Sequence, residues 1–113
     1  MPHVVIEYSQ DLADSMEFSR LLNAAHQGAL RSDLFEPETI KVRACEFEHY
    51  LVAGEPRSFI HLRAQILSGR SEAQKKHLSR CLLEAVADVA VTVTSLSVDI
   101  VDMDRFCYDK RLL

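Results

Sequence analysis

Four side chains in this sequence combine a useful type with a useful placement for handling a small anion or its protons: Pro2, Lys41, Arg43 and Arg70. Arg70 lies in Ile66-Leu67-Ser68-Gly69-Arg70-Ser71-Glu72-Ala73-Gln74-Lys75, where an alternating apolar run ends, a glycine turns the chain and an amphipathic run begins. The pattern predicts strand, turn, helix. Ser71 and Gln74 make a capping box, with the hydroxyl accepting from an amide of the first helical turn while the Gln side chain reaches back. A guanidinium between a strand end and a helix start adds its fork of donors to the free amides there, and together these would hold a carboxylate. The ordinary alternative is a surface arginine in a tight connection.

Pro2 offers the complementary group, a base. Removal of an initiator methionine before so small a residue would leave a secondary amine at the mouth of a strand, its lone pair aimed by the ring. An amino terminus has an ordinary pKa of about 7.7 to 8.0, so modest desolvation or neighbouring cations poise it as a base near neutrality. With Met1 retained, the same nitrogen is an amide without usable basicity, and a proline at position 2 is then an accident of the start site. Lys41 and Arg43 alternate along one run and so share a strand face. They are either ligands for an anion or solvated charges.

The totals narrow what such groups can serve. At 113 residues the chain is expected to form one domain, 1–113, with a modest core. Its composition, 48% apolar and 27% charged, is that of an ordinary globular protein. A net charge of −4 argues against a nucleic-acid partner while leaving room for a small anion held by a few local cations. Cys45, Cys81 and Cys107 are odd in number and far apart with no CxxC pair, which points to buried or incidental thiols in a reducing cytoplasm. Val4-Val5-Ile6 is too short for a targeting signal, and Glu84, Asp88 and Asp99 interrupt the apolar stretch 82–101, so no membrane span is expected. His3, His26, His49, His61 and His77 are scattered without ligand spacing, hence no metal site is expected. There is no glycine-rich phosphate loop and no GxSxG, and no cofactor is expected.

The elements that must position the four residues follow from periodicity. The β-branched run 2–8 suits a first strand buried on both faces. Asp14 with Glu17 marks a helix start, and Phe18, Leu21, Leu22, Ala25 and Ala29 recur at helical spacing, so a helix is expected over 14–31, with Gly28 inside it marking close packing or nothing in particular. Residues 39–47 alternate as a second strand, with Ile40, Val42 and Ala44 on one face and Lys41, Arg43, Cys45 and Phe47 on the other. Residues 49–57 read as a hairpin loop. A third strand over 58–67 faces Ile60, Leu62, Ala64 and Ile66 one way, a second helix spans about 71–90, and Leu96–Met103 is a fourth strand. The tail from Asp104 is charged, with Phe106 and Tyr108 its only aromatic anchors.

The fold class is therefore α/β in the two-layer α+β sense: duplicated β-α-β units forming a four-stranded mixed sheet with both helices on one face. The caps at Asp14 and Ser71 lie 57 positions apart, and the same shift carries Pro2 onto Phe59 and Ile40 onto Ser97, which suggests pseudo-repeats at about 1–48 and 58–103. The uncovered sheet face is expected to meet other subunits.

Ile66 through Lys75 resembles the strand-GRS-helix segment of the tautomerase superfamily, whose small members begin with a catalytic amino-terminal proline. Pro2-His3-Val4-Val5-Ile6-Glu7-Tyr8-Ser9, with the doubled length, is similar to one branch, the 5-carboxymethyl-2-hydroxymuconate isomerases, and the likeness in order and spacing covers essentially the whole chain. The resemblance implies a cytoplasmic, cofactor-free isomerase of aromatic catabolism, built as a homotrimer with sites where subunits meet, that moves a proton along a conjugated dicarboxylate. Pro2 would be the general base and Arg70 would hold a carboxylate or developing oxyanion. Where the family places another arginine this chain has Lys41, with Arg43 nearby, so a point charge replaces a bidentate fork. A ferredoxin-like module that binds a small ligand without chemistry fits the same element order. Within the superfamily, related scaffolds use the proline for hydration or dehalogenation.

Overall fold

The structure is a computed structural model describing residues 1–113. Its strands and helices are β1 His3–Ser9, α1 Phe18–Arg31, β2 Lys41–Phe47, β3 Phe59–Leu67, α2 Glu72–Ala87 and β4 Ser95–Met103. The sheet order is β2-β1-β3-β4. β1 runs parallel to β2 and β3 parallel to β4, while β1 and β3 pair antiparallel in the centre. Each parallel pair is joined through a helix, as parallel strands require a long crossover. The mixed sheet and two-helix layer match the expected class.

The core lies between the helices and one sheet face. Val4 and Ile6 from β1, and Ile60, Leu62, Ala64 and Ile66 from β3, are buried with Leu21, Ala25 and Ala29 of α1 and Leu78, Leu82 and Val86 of α2. The opposite face carries His3, Glu7, Arg43, His61 and Arg63, because successive side chains of a strand point to opposite sides. No helix is long and apolar enough to cross a membrane.

Three expectations need correction. The first helix begins at Phe18 with Glu17 at its cap position and no side-chain cap bond, not at Asp14. Leu12 is buried and closes a 3₁₀ turn over Gln10–Leu12, and its carbonyl takes the Met16 amide at 2.9 Å, so the polar stretch is a turn. Residues 49–57 are not a hairpin between β2 and β3, which lie on either side of β1. They hold only a local turn, closed by Val52 and Glu55, at whose centre Ala53 and Gly54 have φ of 54° and 79°. The third correction concerns register.

A shift of 57 relates the helices but cannot relate the strands. Buried Leu21, Ala25, Gly28 and Ala29 of α1 fall at that distance from buried Leu78, Leu82, Ala85 and Val86 of α2. In the strands an odd shift would carry core-facing Val4 and Ile6 onto His61 and Arg63, on the other side of the sheet. The two halves also pair differently: Val4 sits opposite Val42, and Leu62 opposite Val98, so the crossovers differ in length by two residues. Where β3 begins, the buried Ser9 hydroxyl accepts from the Phe59 amide at 3.0 Å, tying that strand start to the end of β1.

Gly28 resolves in favour of close packing. A Cβ there would meet the Cys81 carbonyl oxygen at 2.9 Å and Ala85 Cβ and Leu82 Cα at 3.1 Å. Alanine improves helix propensity by about 1 kcal/mol, but overpacking against backbone costs about 1–3 kcal/mol, so the contact dominates. Gly28→Ala is expected to lower the urea midpoint, and Gly28→Val to lower it further. A Gly28→Ala variant more stable than the parent in urea titration would contradict this packing account.

Candidate active site

The amino terminus is fixed by strand pairing. Pro2 extends β1 by one residue: its ring is buried, and its carbonyl accepts from the Lys41 amide at 3.1 Å. This brings the first residue of β2 beside the start of the chain. The Lys41 ammonium donates to the Thr39 carbonyl at 3.3 Å and to Met1 Sδ at 3.1 Å. From the tail, Lys110 Nζ reaches the same sulfur at 3.5 Å.

The electrostatics there are one-sided. Burial, then the charges of Arg70, Lys110, Lys41 and Arg105, lower the Met1 amine from 8.0 to about 6. Each cation opposes another positive charge, so all act in one direction. An amine at this place is mostly unprotonated at neutral pH.

Arg70 reaches this neighbourhood from the β3–α2 turn. Gly69, with φ of +123°, makes the turn in a conformation that L side chains rarely adopt. The capping box forms as expected: the Ser71 amide donates to Gln74 Oε1 at 2.9 Å and the Gln74 amide to Ser71 Oγ at 3.1 Å. Two helix-start amides are thereby engaged. The Arg70 guanidinium does not stay over them; it donates to the Leu34 carbonyl at 3.0 Å and lies 5.2 Å from the centre of the Phe35 ring. The connection after α1 therefore aims the guanidinium.

Arg43 lies one step further along the open face. Its Nη1 is 3.2 Å from His3 Nδ1, and His3 Nε2 is 3.0 Å from the Tyr108 hydroxyl. A guanidinium only donates, so Nδ1 accepts and the ring proton sits on Nε2, which donates to Tyr108. The two rings meet edge-on with centroids 5.9 Å apart. Of the two candidate strand cations, Lys41 contacts the amino-terminal residue and Arg43 is engaged with its neighbour.

The tail supplies what sequence reasoning missed. Arg105 donates through Nε and Nη2 to the Ser68 carbonyl at 3.2 and 3.0 Å. Arg105, Tyr108 and Lys110 thus fold back over the start of β1. The only sequence signal was the aromatic pair, of which Tyr108 anchors and Phe106 stays 94% exposed. His61 is a structural partner, bonded to Ser97 Oγ at 2.7 Å.

None of the three surface clefts of the protomer is lined by Pro2, Lys41, Arg43 or Arg70. One cleft, of about 350 Å³, includes Leu34 and Phe35, the residues that hold Arg70. Lys41, Arg43 and Arg70 therefore lie outside the clefts of the single chain, and Pro2 is buried.

Comparison with known proteins bears on this arrangement. A family model described as 5-carboxymethyl-2-hydroxymuconate isomerase matches residues 2–106. A solved 5-carboxymethyl-2-hydroxymuconate isomerase from Deinococcus radiodurans R1 is 28% identical, with a TM-score of 0.82 over 97% of this chain and 88% of that one. A 5-carboxymethyl-2-hydroxymuconate delta-isomerase is 20% identical, with a TM-score of 0.79 over 99% and 88% of the two chains. A fused 4-OT, solved as a wild-type symmetric trimer, is 17% identical with a TM-score of 0.80 over 96% and 90%. No curated protein matches the chain in sequence.

The His3 contact has a pH consequence. Burial first, then Arg43, Lys41 and the amino terminus, hold His3 below its ordinary value of 6.5. The folded chain thus takes up this proton at lower pH than the unfolded chain does. The stabilising contribution is full above 6.5 and is lost as pH falls through the depressed folded value. Protonation at Nδ1 takes away the acceptor that Arg43 uses, so the Arg43–His3 contact is expected to be lost as the pH is lowered below 6.5, followed by the His3 ring nitrogen shifts, while Nε2 goes on donating to Tyr108. Tyr108→Phe should loosen the tail, followed by hydrogen exchange over 105–113, at neutral and acid pH alike.

Proposed function

The chain belongs to the 5-carboxymethyl-2-hydroxymuconate isomerase family, and on that basis we propose that it is a cofactor-free tautomerase acting on a small unsaturated keto or hydroxy dicarboxylate of the 5-carboxymethyl-2-hydroxymuconate type. Removal of Met1 frees the Pro2 nitrogen, which acts as general base. Its lone pair takes a proton from carbon, the C–H electrons pass into a dienolate, and the protonated ring nitrogen, a secondary ammonium, returns the proton to another carbon. Arg70 holds a carboxylate or the developing oxyanion, where a fixed cation contributes most. Lys41 is the second cation, and Arg43 acts on the substrate side only through His3.

The single observation that supports this reading is the depressed amine. The burial and the cations that together bring the Met1 amine to about 6 would act on a freed Pro2 nitrogen as well. A base in the free form at neutral pH is what proton abstraction requires. With Met1 in place the Pro2 nitrogen is acylated, and the same cations would bind a dianion without turning it over. That second reading differs by one peptide bond.

We further propose a homotrimer with the site completed between subunits, in a reducing, cytoplasmic setting and a route of aromatic catabolism. The uncovered sheet face supports the assembly, and the three free thiols support the setting. Ultracentrifugation should give three times the 12.8 kDa chain mass.

Native protein is expected to lack Met1 by intact mass, and Pro2→Ala to lower kcat/KM for enol–keto conversion by roughly 10²-fold or more. The acid limb of kcat/KM against pH should lie below the ordinary amine value of 8.0. Arg70→Gln should lower kcat by about 10²-fold. Retained Met1 in active native protein, or full activity in the Ala variant, would refute the proline-base reading.

A further inference from the structure

Lys110 comes from the tail and Lys41 from the start of β2, yet both ammoniums are directed onto one atom, Met1 Sδ, at 3.5 and 3.1 Å. A thioether is a weak acceptor and carries no charge. Two ammoniums facing it repel each other, and the further acceptor beside them is a neutral one, the Thr39 carbonyl 3.3 Å from Lys41. A carboxylate in the same place would accept from both, in charge-assisted bonds about twice as strong as neutral ones. We infer that Lys41 and Lys110 form a paired-ammonium subsite for one carboxylate of a dianionic substrate, a place filled by the Met1 side chain until that residue is removed.

This deepens the tautomerase reading and rests on it for the identity of the dianion. It also accounts for Lys41: a second point charge from the tail supplies the two-donor grip that a single arginine fork would give. The tail is positioned for this independently of Lys110, because Arg105 is bound to the Ser68 carbonyl and Tyr108 to His3. Arg70, held by Leu34 and Phe35, enters separately, from the turn between β3 and α2. One substrate end is thus assigned to the lysine pair and the reacting end to Arg70.

The test is calorimetric titration of Met1-free protein with hexanedioate, and with hexanoate as the monoanionic control. The processed protein is expected to bind the diacid about tenfold more tightly than the monoacid, the size of one charge-assisted contact. Lys110→Gln should remove most of that preference and Lys110→Arg should restore it. Protein that keeps Met1 should bind the diacid more weakly than processed protein. In turnover, Lys110→Gln should raise KM for a dicarboxylate dienol more than it lowers kcat. Unchanged discrimination in Lys110→Gln, or none in the parent, overturns the subsite. If discrimination follows Lys110 while processed protein has no enol–keto activity, the tautomerase reading fails and the diacid subsite stands; Pro2-dependent activity indifferent to Lys110 gives the reverse.

Discussion

The hydrogen bond from the Lys41 amide to the Pro2 carbonyl is the constraint on which the site depends. It extends the parallel ladder of β1 and β2 by one residue and so fixes where the chain's first atoms emerge. A terminus held only by its own side chain would fray. Here backbone pairing and a buried ring hold it, and the same ladder delivers Lys41. Position and electrostatics therefore come from one interaction.

The remaining cations arrive by different routes: Arg70 from the turn after β3, Arg105 and Lys110 from the tail after β4. Since β3 and β4 are parallel, the end of β4 lies beside the end of β3, with Met103 opposite Leu67. β1 is antiparallel to β3, so its start lies at that same edge, with His3 opposite Gln65. The mixed topology thus gathers two strand ends and two strand starts at one edge of the sheet. Like charges are gathered there around a partly buried amine, so their repulsion adds to the cost of burial. Their common effect is to make a nearby proton costly to hold.

Much of this was legible from residue order. Alternation in β3 identified its core face, and the Ser71 and Gln74 pair identified the start of α2. Local rules sufficed because those segments obey local chemistry. The start of α1 was misread because burial of Leu12, a tertiary event, converts a helix-capping pattern into a turn. The repeat offset was misread because helix faces tolerate any shift that keeps their period, whereas strands accept only even ones. Arg105 and Lys110 were invisible because no periodicity governs an irregular tail; only the pairing of β4 with β3 decides where it goes.

The Ser9–Phe59 bond bears on how many reactive ends a protomer can have. β1 and β3 each open a β-α-β half, one after Pro2 and the other after Ser58. At the other opening the nitrogen is a peptide amide already committed to a buried hydroxyl. On the proline-base reading, the second half therefore has no free nitrogen at its opening. The silent opening is released from chemistry and can be devoted wholly to joining the halves.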